Sequence, residues 1–411
     1  MARLWSVAST KSAKAAINPI REATETHYPE AIKQSKKDIY SLGIGDPSVF
    51  GNLPPHPATV AAVQKVLVGG VSYSYGTSYG YQIAREAIAK QFSTPDCPLT
   101  HDDVIMGTGC AGALELCFSV LCEAGSNMIV PSPGYSLYNC LAGALQVHLK
   151  YYNLLAERNW EADLEQLESL VDSNTKALLL NNPSNPCGSV YTQEHLRGFV
   201  DIARRHKLPI IADETYAHVV YKGQVFHPIS SVAEDVPVLT CSGLSKRYLV
   251  PGWRVGWVIA HDTQGALEAE VKPGLRRLAT RNIGPCALIQ AAIPDIFKNV
   301  PNSFFAETIA TFEGNAVACY ERLSKVDGLT PVMPAGAMYM MVTIDLERFT
   351  EFQDDISFLK QLIIEQGVVC LPGTAFMRAG AMRIALIMPK DGLIIACDRI
   401  TQFCQEHIAK N

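Results

Sequence analysis

The sequence predicts an α/β protein: a mostly parallel sheet with helices on both faces, followed by a smaller second domain. Three observations lead there. Between residues 104 and 241, short continuously apolar runs alternate with segments whose apolar residues recur at helical spacing, the pattern of repeated β-helix-β units. The residues able to do chemistry fall just after the apolar runs, where ligands collect in such sheets. From about Pro294 onward the alternation gives way to long helical patterns and a Gly/Pro-rich stretch, Pro334-Ala-Gly-Ala337.

The first unit runs from a short strand at Met106 through the turn Gly107-Thr-Gly-Cys-Ala-Gly112 into a helix with Ala113 to Leu121 as its body. Gly125 stops that helix, and Asn127-Met-Ile-Val130 reads as a strand. Leu145 to Leu149 reads as the next strand. Lys176 to Leu180 is a buried strand entering the turn Asn181-Asn-Pro-Ser-Asn-Pro-Cys-Gly188. Gln193 to Lys207 carries Leu196, Phe199, Val200, Ala203 and Arg204 at helical spacing, a mostly apolar stripe to pack on a sheet. Leu208 to Ala212 and Val236 to Cys241 complete the strands.

Composition narrows the function. The chain has 411 residues, 48% hydrophobic and 18% charged, enough for two sizeable cores. A net charge of −5 argues against non-specific nucleic-acid binding. No apolar run reaches the ~18 residues of a membrane span. Twelve cysteines without a CxxC pair fit neither a disulfide scaffold nor a zinc site, and point to reduced thiols inside the cell. Cys117 reads as core filler. The first 21 residues are basic and acid-free, with Arg3, Lys11, Lys14 and Arg21. They read as an arm that packs on a partner subunit or stays mobile in a cytoplasmic enzyme, with a mitochondrial targeting segment as the alternative.

Lys246 follows the last strand in a Gly/Ser-rich turn, eight residues before Arg254. A lysine that forms an imine with an aldehyde needs a fixed turn and neighbouring cations; Arg247 and Arg254 would disfavour its ammonium form. An arginine can also clamp a phosphate with its bidentate fork. Asp213, after the strand ending at Ala212, suits a pyridine nitrogen, because a carboxylate there keeps the ring protonated and able to accept electrons. Glu214 is its rival. Tyr216 and Asn185 are within reach of a ring oxygen as donors. The Gly-rich turn opening a helix makes an anion site from free backbone N–H groups. Arg254 with Ser245 or Ser242 would complete the phosphate cup, and Tyr135 would lie on the ring. Together these describe a site for pyridoxal 5'-phosphate.

Eight segments carry a wider likeness: Ile17-Asn-Pro-Ile-Arg21, Ser41-Leu-Gly-Ile-Gly-Asp-Pro47, Tyr75-Gly-Thr-Ser-Tyr-Gly80, Pro131-Ser-Pro-Gly-Tyr135, Asn181 to Gly188, Ala212-Asp-Glu-Thr-Tyr216, Ser245 to Gly256 and Pro334-Ala-Gly-Ala-Met338. In this order they resemble the class I, fold-type-I pyridoxal phosphate-dependent aminotransferases, and among them the branch acting on aromatic amino acids. The resemblance implies a large domain with a seven-stranded sheet at 51–293. It also implies a small α/β domain at 294–411, and residues 1–50 as an arm and part of the small domain. It makes Lys246 the Schiff-base lysine, Asp213 the pyridinium partner, Tyr216 and Asn185 the ring-oxygen donors and Tyr135 the stacking ring. Arg254 and the amides of Cys110 and Ala111 become the phosphate site. Tyr75 is assigned to the phosphate of the neighbouring subunit, hence a homodimer with shared active sites. Arg383, in Ala381-Met-Arg-Ile-Ala385, becomes the grip on the substrate α-carboxylate, with Gly45 beside it.

Gly243 stands where many relatives carry a phosphate-binding serine, and none of Arg276, Arg277 and Arg281 matches the second arginine of aspartate-specific members. The expected reaction is therefore ping-pong transfer of an amino group from tyrosine, phenylalanine and others to a 2-oxo acid, with Ile17 and Ile44 as candidates for an apolar slot. The alternatives are an alanine or aspartate aminotransferase, a lyase resembling aminocyclopropane-carboxylate synthase, and a catalytically silent regulatory domain.

Overall fold

The computed structural model describes residues 7–70, 73–95 and 97–409. Arg3, counted above in the basic N-terminus, lies outside them. Its largest element is a sheet of eight strands, in the order Val104–Thr108, Val255–His261, Val238–Gly243, Ile210–Asp213, Thr175–Asn181, Asn127–Ser132, His148–Leu155 and Glu161–Ala162. The pairings from Val238–Gly243 through His148–Leu155 are parallel, and Val255–His261 runs antiparallel to both its neighbours. The eighth strand, beyond the expected seven, is a two-residue return that pairs antiparallel with the end of His148–Leu155.

The strands read as unbroken apolar runs because both faces of the sheet are covered. Leu178 and Leu180 pack towards Leu196, Phe199 and Val200 of the helix Gln193–His206. Ala177 and Leu179 face the opposite side, with Leu114 and Phe118 of the helix Gly109–Leu121. Alternation along the chain thus feeds two cores, and each strand end is locked at a fixed depth. One expectation fails locally. Leu145 ends the helix Leu137–Leu145, and the strand starts only at His148 after Gln146 turns the chain in a left-handed conformation. An apolar run shared by a helix end and a strand start gives no period to separate them.

A second sheet has four antiparallel strands, in the order Leu329–Pro331, Tyr339–Ile344, Ala381–Ala385 and Leu371–Pro372. It shares a core with the helices Asn302–Leu323, Asp355–Gln366 and Lys390–His407. The helix Ala287–Asn299 runs unbroken across residue 294, with Pro294 inside it. Tyr40–Ser41 pairs in parallel with Val368–Val369, which ties the start of the chain to its C-terminal part.

The N-terminal arm rests on its own chain. The helix Lys11–Ala15 lies so close to the helix Leu137–Leu145 that a Cβ at Gly143 would come within 2.0 Å of the Ala15 carbonyl oxygen. Ser136 Oγ donates to Asn18 Oδ1 at 3.0 Å, and Cys140 Sγ to Ala16 O at 3.5 Å. Among the described residues, no helix is long and apolar enough to cross a membrane.

Candidate active site

The carboxyl ends of the large sheet and the two inner strands of the small sheet enclose a cleft of about 590 Å³, within the usual size for small-molecule sites. Asp213, the last residue of its strand, stands on the floor and is buried. Its Oδ2 accepts from Tyr138 Oη at 2.7 Å, and its Oδ1 from Thr215 N at 3.3 Å and more weakly from Cys110 Sγ at 3.6 Å. Burial pushes its carboxyl pKa up, against the three donors, which lower it. Such a carboxyl favours a cationic partner.

Glu214 settles differently. It does not line the cleft; its Oε1 accepts from Ile229 N at 2.9 Å, and burial raises its pKa to about 8. Successive strand-end side chains point to opposite sides, so only one of the adjacent acids can reach the cleft.

Lys246 lines the cleft and donates from Nζ to Gly45 O at 2.6 Å. Arg247, expected beside it as a second cation, turns away and covers the Phe305 ring, 4.5 Å from its centroid. Arg254 stands at the start of the helix Gly109–Leu121, donating to Thr108 O at 3.2 Å and Pro251 O at 2.9 Å. Gly109 has φ +71°, which favours glycine, and a Cβ there would lie 2.4 Å from Arg254 Nη2 and displace that guanidinium. No side chain caps this helix, and the cleft is lined by Cys110 and Ala111 in its first turn. Ser245 lines the cleft; Ser242 does not, its hydroxyl donating to Glu214 O at 3.3 Å. Gly243 has its own reason: a Cβ there would meet Val255 O at 2.7 Å across the sheet.

Arg383, in the middle of its small-sheet strand, is buried. It donates to Asn185 Oδ1 at 2.9 Å and Gly43 O at 2.7 Å, and packs between the Tyr339 and Phe376 rings, 4.1 and 4.8 Å from their centroids. Its Nε has no acceptor, and no carboxylate among the described residues pairs with it. Burial lowers its pKa, so this cation is short of an anion.

Tyr216, Tyr135, Asn185 and Gly45 line the same cleft, as expected. Ile44 does too, whereas Ile17 is replaced there by Ile20. Tyr75, assigned to the neighbouring subunit, does not line its own cleft and is 88% exposed. Arg276 and Arg281 are engaged elsewhere, with Asp102 and Glu115. Sequence reasoning missed two tyrosines. Tyr138 holds Asp213, and Tyr339 bonds Tyr216, hydroxyl to hydroxyl, at 2.8 Å. Each lies just beyond a quoted segment, three residues after Tyr135 and one after Met338, and that adjacency was the available signal.

An acid, an amine, an uncapped helix start and an unpaired guanidinium in one cleft define an enzyme site for a small anionic substrate. The family model "Aminotransferase class I and II" matches residues 37–400, so the chain belongs to that family. It is 42% identical to the tyrosine aminotransferases of Mus musculus and Homo sapiens, each over 403 residues, 98% of this chain and 88% of those. The crystal structure of tyrosine aminotransferase from Leishmania infantum superposes with a TM-score of 0.93 at 30% identity, covering 99% of this chain and all of that one.

Proposed function

We propose that this chain is a pyridoxal 5'-phosphate-dependent aminotransferase that takes the amino group of tyrosine, and of phenylalanine, and passes it to a 2-oxo acid. The observation that carries this reading is Arg383: a buried guanidinium without a carboxylate, in the same cleft as Lys246 and Asp213. A buried cation without a counter-charge is costly, and an anion that comes and goes would offset that cost. The residues present fit the cofactor. Lys246 would hold its aldehyde carbon, Asp213 its ring nitrogen, Tyr216 and Asn185 its ring oxygen, and Tyr135 its ring face. The Cys110 and Ala111 amides, Ser245 and Arg254 would hold its phosphate.

When bound, the cofactor's protonated ring supplies a sink for the electron pair left at the substrate α-carbon. The chain's residues do the rest. Arg383 receives the α-carboxylate through a bidentate fork and so fixes which bond at the α-carbon faces Lys246. Gly45 leaves room there, since a Cβ would collide with Tyr339 Oη at 2.5 Å. Lys246 Nζ, once free, takes the α-proton and delivers it again, acting as base and then acid. The apolar slot for an aromatic side chain would be formed by Ile20 and Ile44, both of which line the cleft.

Tyr75 supports a homodimer with shared active sites, because its ring stands in solvent outside its own cleft. The thiols of the chain are free, which suits a reducing, cytoplasmic setting.

The test is direct. Purified protein should absorb near the visible, borohydride should fix the chromophore on the peptide containing Lys246, and tyrosine plus a 2-oxo acid should yield a new amino acid. Release of ammonia or an elimination product instead would make it a lyase. Acceptance of aspartate alone would sink the aromatic assignment.

A further inference from the structure

We infer that Tyr339 is a positioning residue for both halves of the cleft, acting on the cofactor side through Tyr216 with its hydroxyl and on the substrate side through Arg383 with its ring. The inference rests on the proposed reading of the cleft and adds to it a residue from the small sheet. Tyr339 begins the strand Tyr339–Ile344 and is buried. Its Oη lies 2.8 Å from Tyr216 Oη, and no other hydrogen bond is formed by either hydroxyl among the described residues.

Proton bookkeeping fixes the direction of that bond. Each phenol has one proton to donate. If Tyr216 spends its proton on the ring oxygen of the cofactor, its own oxygen can only accept, and the donor within reach is Tyr339. A hydroxyl that accepts a hydrogen bond becomes a better donor. Tyr339 therefore strengthens the grip of Tyr216 on the ionised ring oxygen, and that grip draws charge away from the neighbouring proton on the Lys246 nitrogen. Loss of the Tyr339 hydroxyl leaves the proton held more tightly.

The ring has a separate task. Arg383 sits 4.1 Å from its centroid, so the aromatic face steadies a guanidinium that has no carboxylate. Gly45 belongs to the same arrangement, since any side chain there would push Tyr339 Oη off Tyr216. The hydroxyl and the ring can be separated by substitution, because phenylalanine keeps the ring and leucine keeps neither.

The experiment is a spectrophotometric pH titration of the holoenzyme chromophore, with melting curves confirming each variant is folded. Y339F should raise the apparent pKa of the Lys246-bound chromophore by about 0.5–1 pH unit, the size of one hydrogen bond, with the KM for tyrosine within about twofold of wild type. Y339L should shift the titration similarly and also raise that KM about five- to tenfold, through the lost aromatic face. Combined with Tyr216→Phe, Y339F should add no further shift, because its path runs through the removed hydroxyl. An unshifted titration in Y339F, or an equal shift in the Tyr216→Phe background, overturns the inference; so does a KM rise in Y339F matching Y339L. If wild type itself had no titrating chromophore, the reading of the cleft would fail instead, and the two failures are distinguishable.

Discussion

On the floor of the cleft, at the ends of the large sheet, the acid already has its partners, whereas the wall supplied by the small sheet leaves its cation unpaired. Asp213 accepts from Tyr138, Thr215 and Cys110, so its position is fixed before any ligand arrives. Arg383 is buried to the same degree but donates only to neutral oxygens and keeps a bare Nε. On the proposed reading, the difference teaches how one cleft would serve two kinds of guest. A self-satisfied floor suits a resident group, and an incomplete wall suits a visiting anion.

The comparison breaks most visibly at Lys246. Lys246→Ala should lower turnover at least about 10²–10⁴-fold, the contribution of a positioned proton carrier, with melting temperature and circular dichroism unchanged. The helix start and Asp213 should still retain the cofactor without covalent attachment. Measured amino transfer close to wild type would remove Lys246 from the floor's chemistry.

Arg383→Gln tests the wall. Truncating a buried charge that binds its counterpart costs about 2–5 kcal/mol, so kcat/KM for tyrosine should fall roughly 30- to 5,000-fold. Cofactor content should stay the same if Arg383 holds the visitor and not the resident, as proposed. Equal loss of both would merge floor and wall into one unit.

The two walls were not equally legible in the sequence. Asp213, Lys246 and Asn185 follow predicted strands, and a parallel sheet has only one end for ligands, so their shared position together with their chemistry singled them out. Arg383 sits in mid-strand among apolar neighbours, where nothing local separates a ligand-binding arginine from a paired structural one; family likeness found it. The supporting tyrosines were invisible for a geometric reason. Tyr138 reaches Asp213 across 75 residues of sequence, and Tyr339 reaches Tyr216 across 123. Such partners depend on how helices and sheets dock, which periodicity does not encode. Arg247 misled for the converse reason: adjacency to Lys246 in sequence says nothing of direction, and its guanidinium packs on Phe305 instead.

Glu214 sharpens the floor by contrast with its neighbour. Its folded pKa is raised from the ordinary 4.5 to about 8 by burial. The folded protein thus holds a proton that the unfolded chain has lost between those values, and stability falls as pH rises through that window. Glu214→Gln keeps an oxygen for the Ile229 N–H and removes the titration. Chemical denaturation at pH 6 and pH 8 should show wild type losing up to about 1.4 kcal/mol per pH unit from this group, and the variant losing less. An identical pH dependence in both would mean the carboxyl is not held protonated. Activity should change little, since the side chain lies outside the cleft.

The smallest effect separates the two serines that compete for the phosphate cup. Ser242 and Ser245 are three residues apart, and both are buried. Ser242 Oγ is spent on Glu214 O at 3.3 Å, behind the floor, while Ser245 opens into the cleft beside Arg254. One hydrogen bond contributes about 0.5–1.5 kcal/mol net, so Ser245→Ala should weaken cofactor retention about two- to tenfold in equilibrium dialysis. Ser242→Ala should leave it within about twofold. A reversed order would place the anion on the far side of the strand Val238–Gly243. That side has a small pocket of its own, lined by Ser242, Gly243 and Arg247, which Arg254 does not reach.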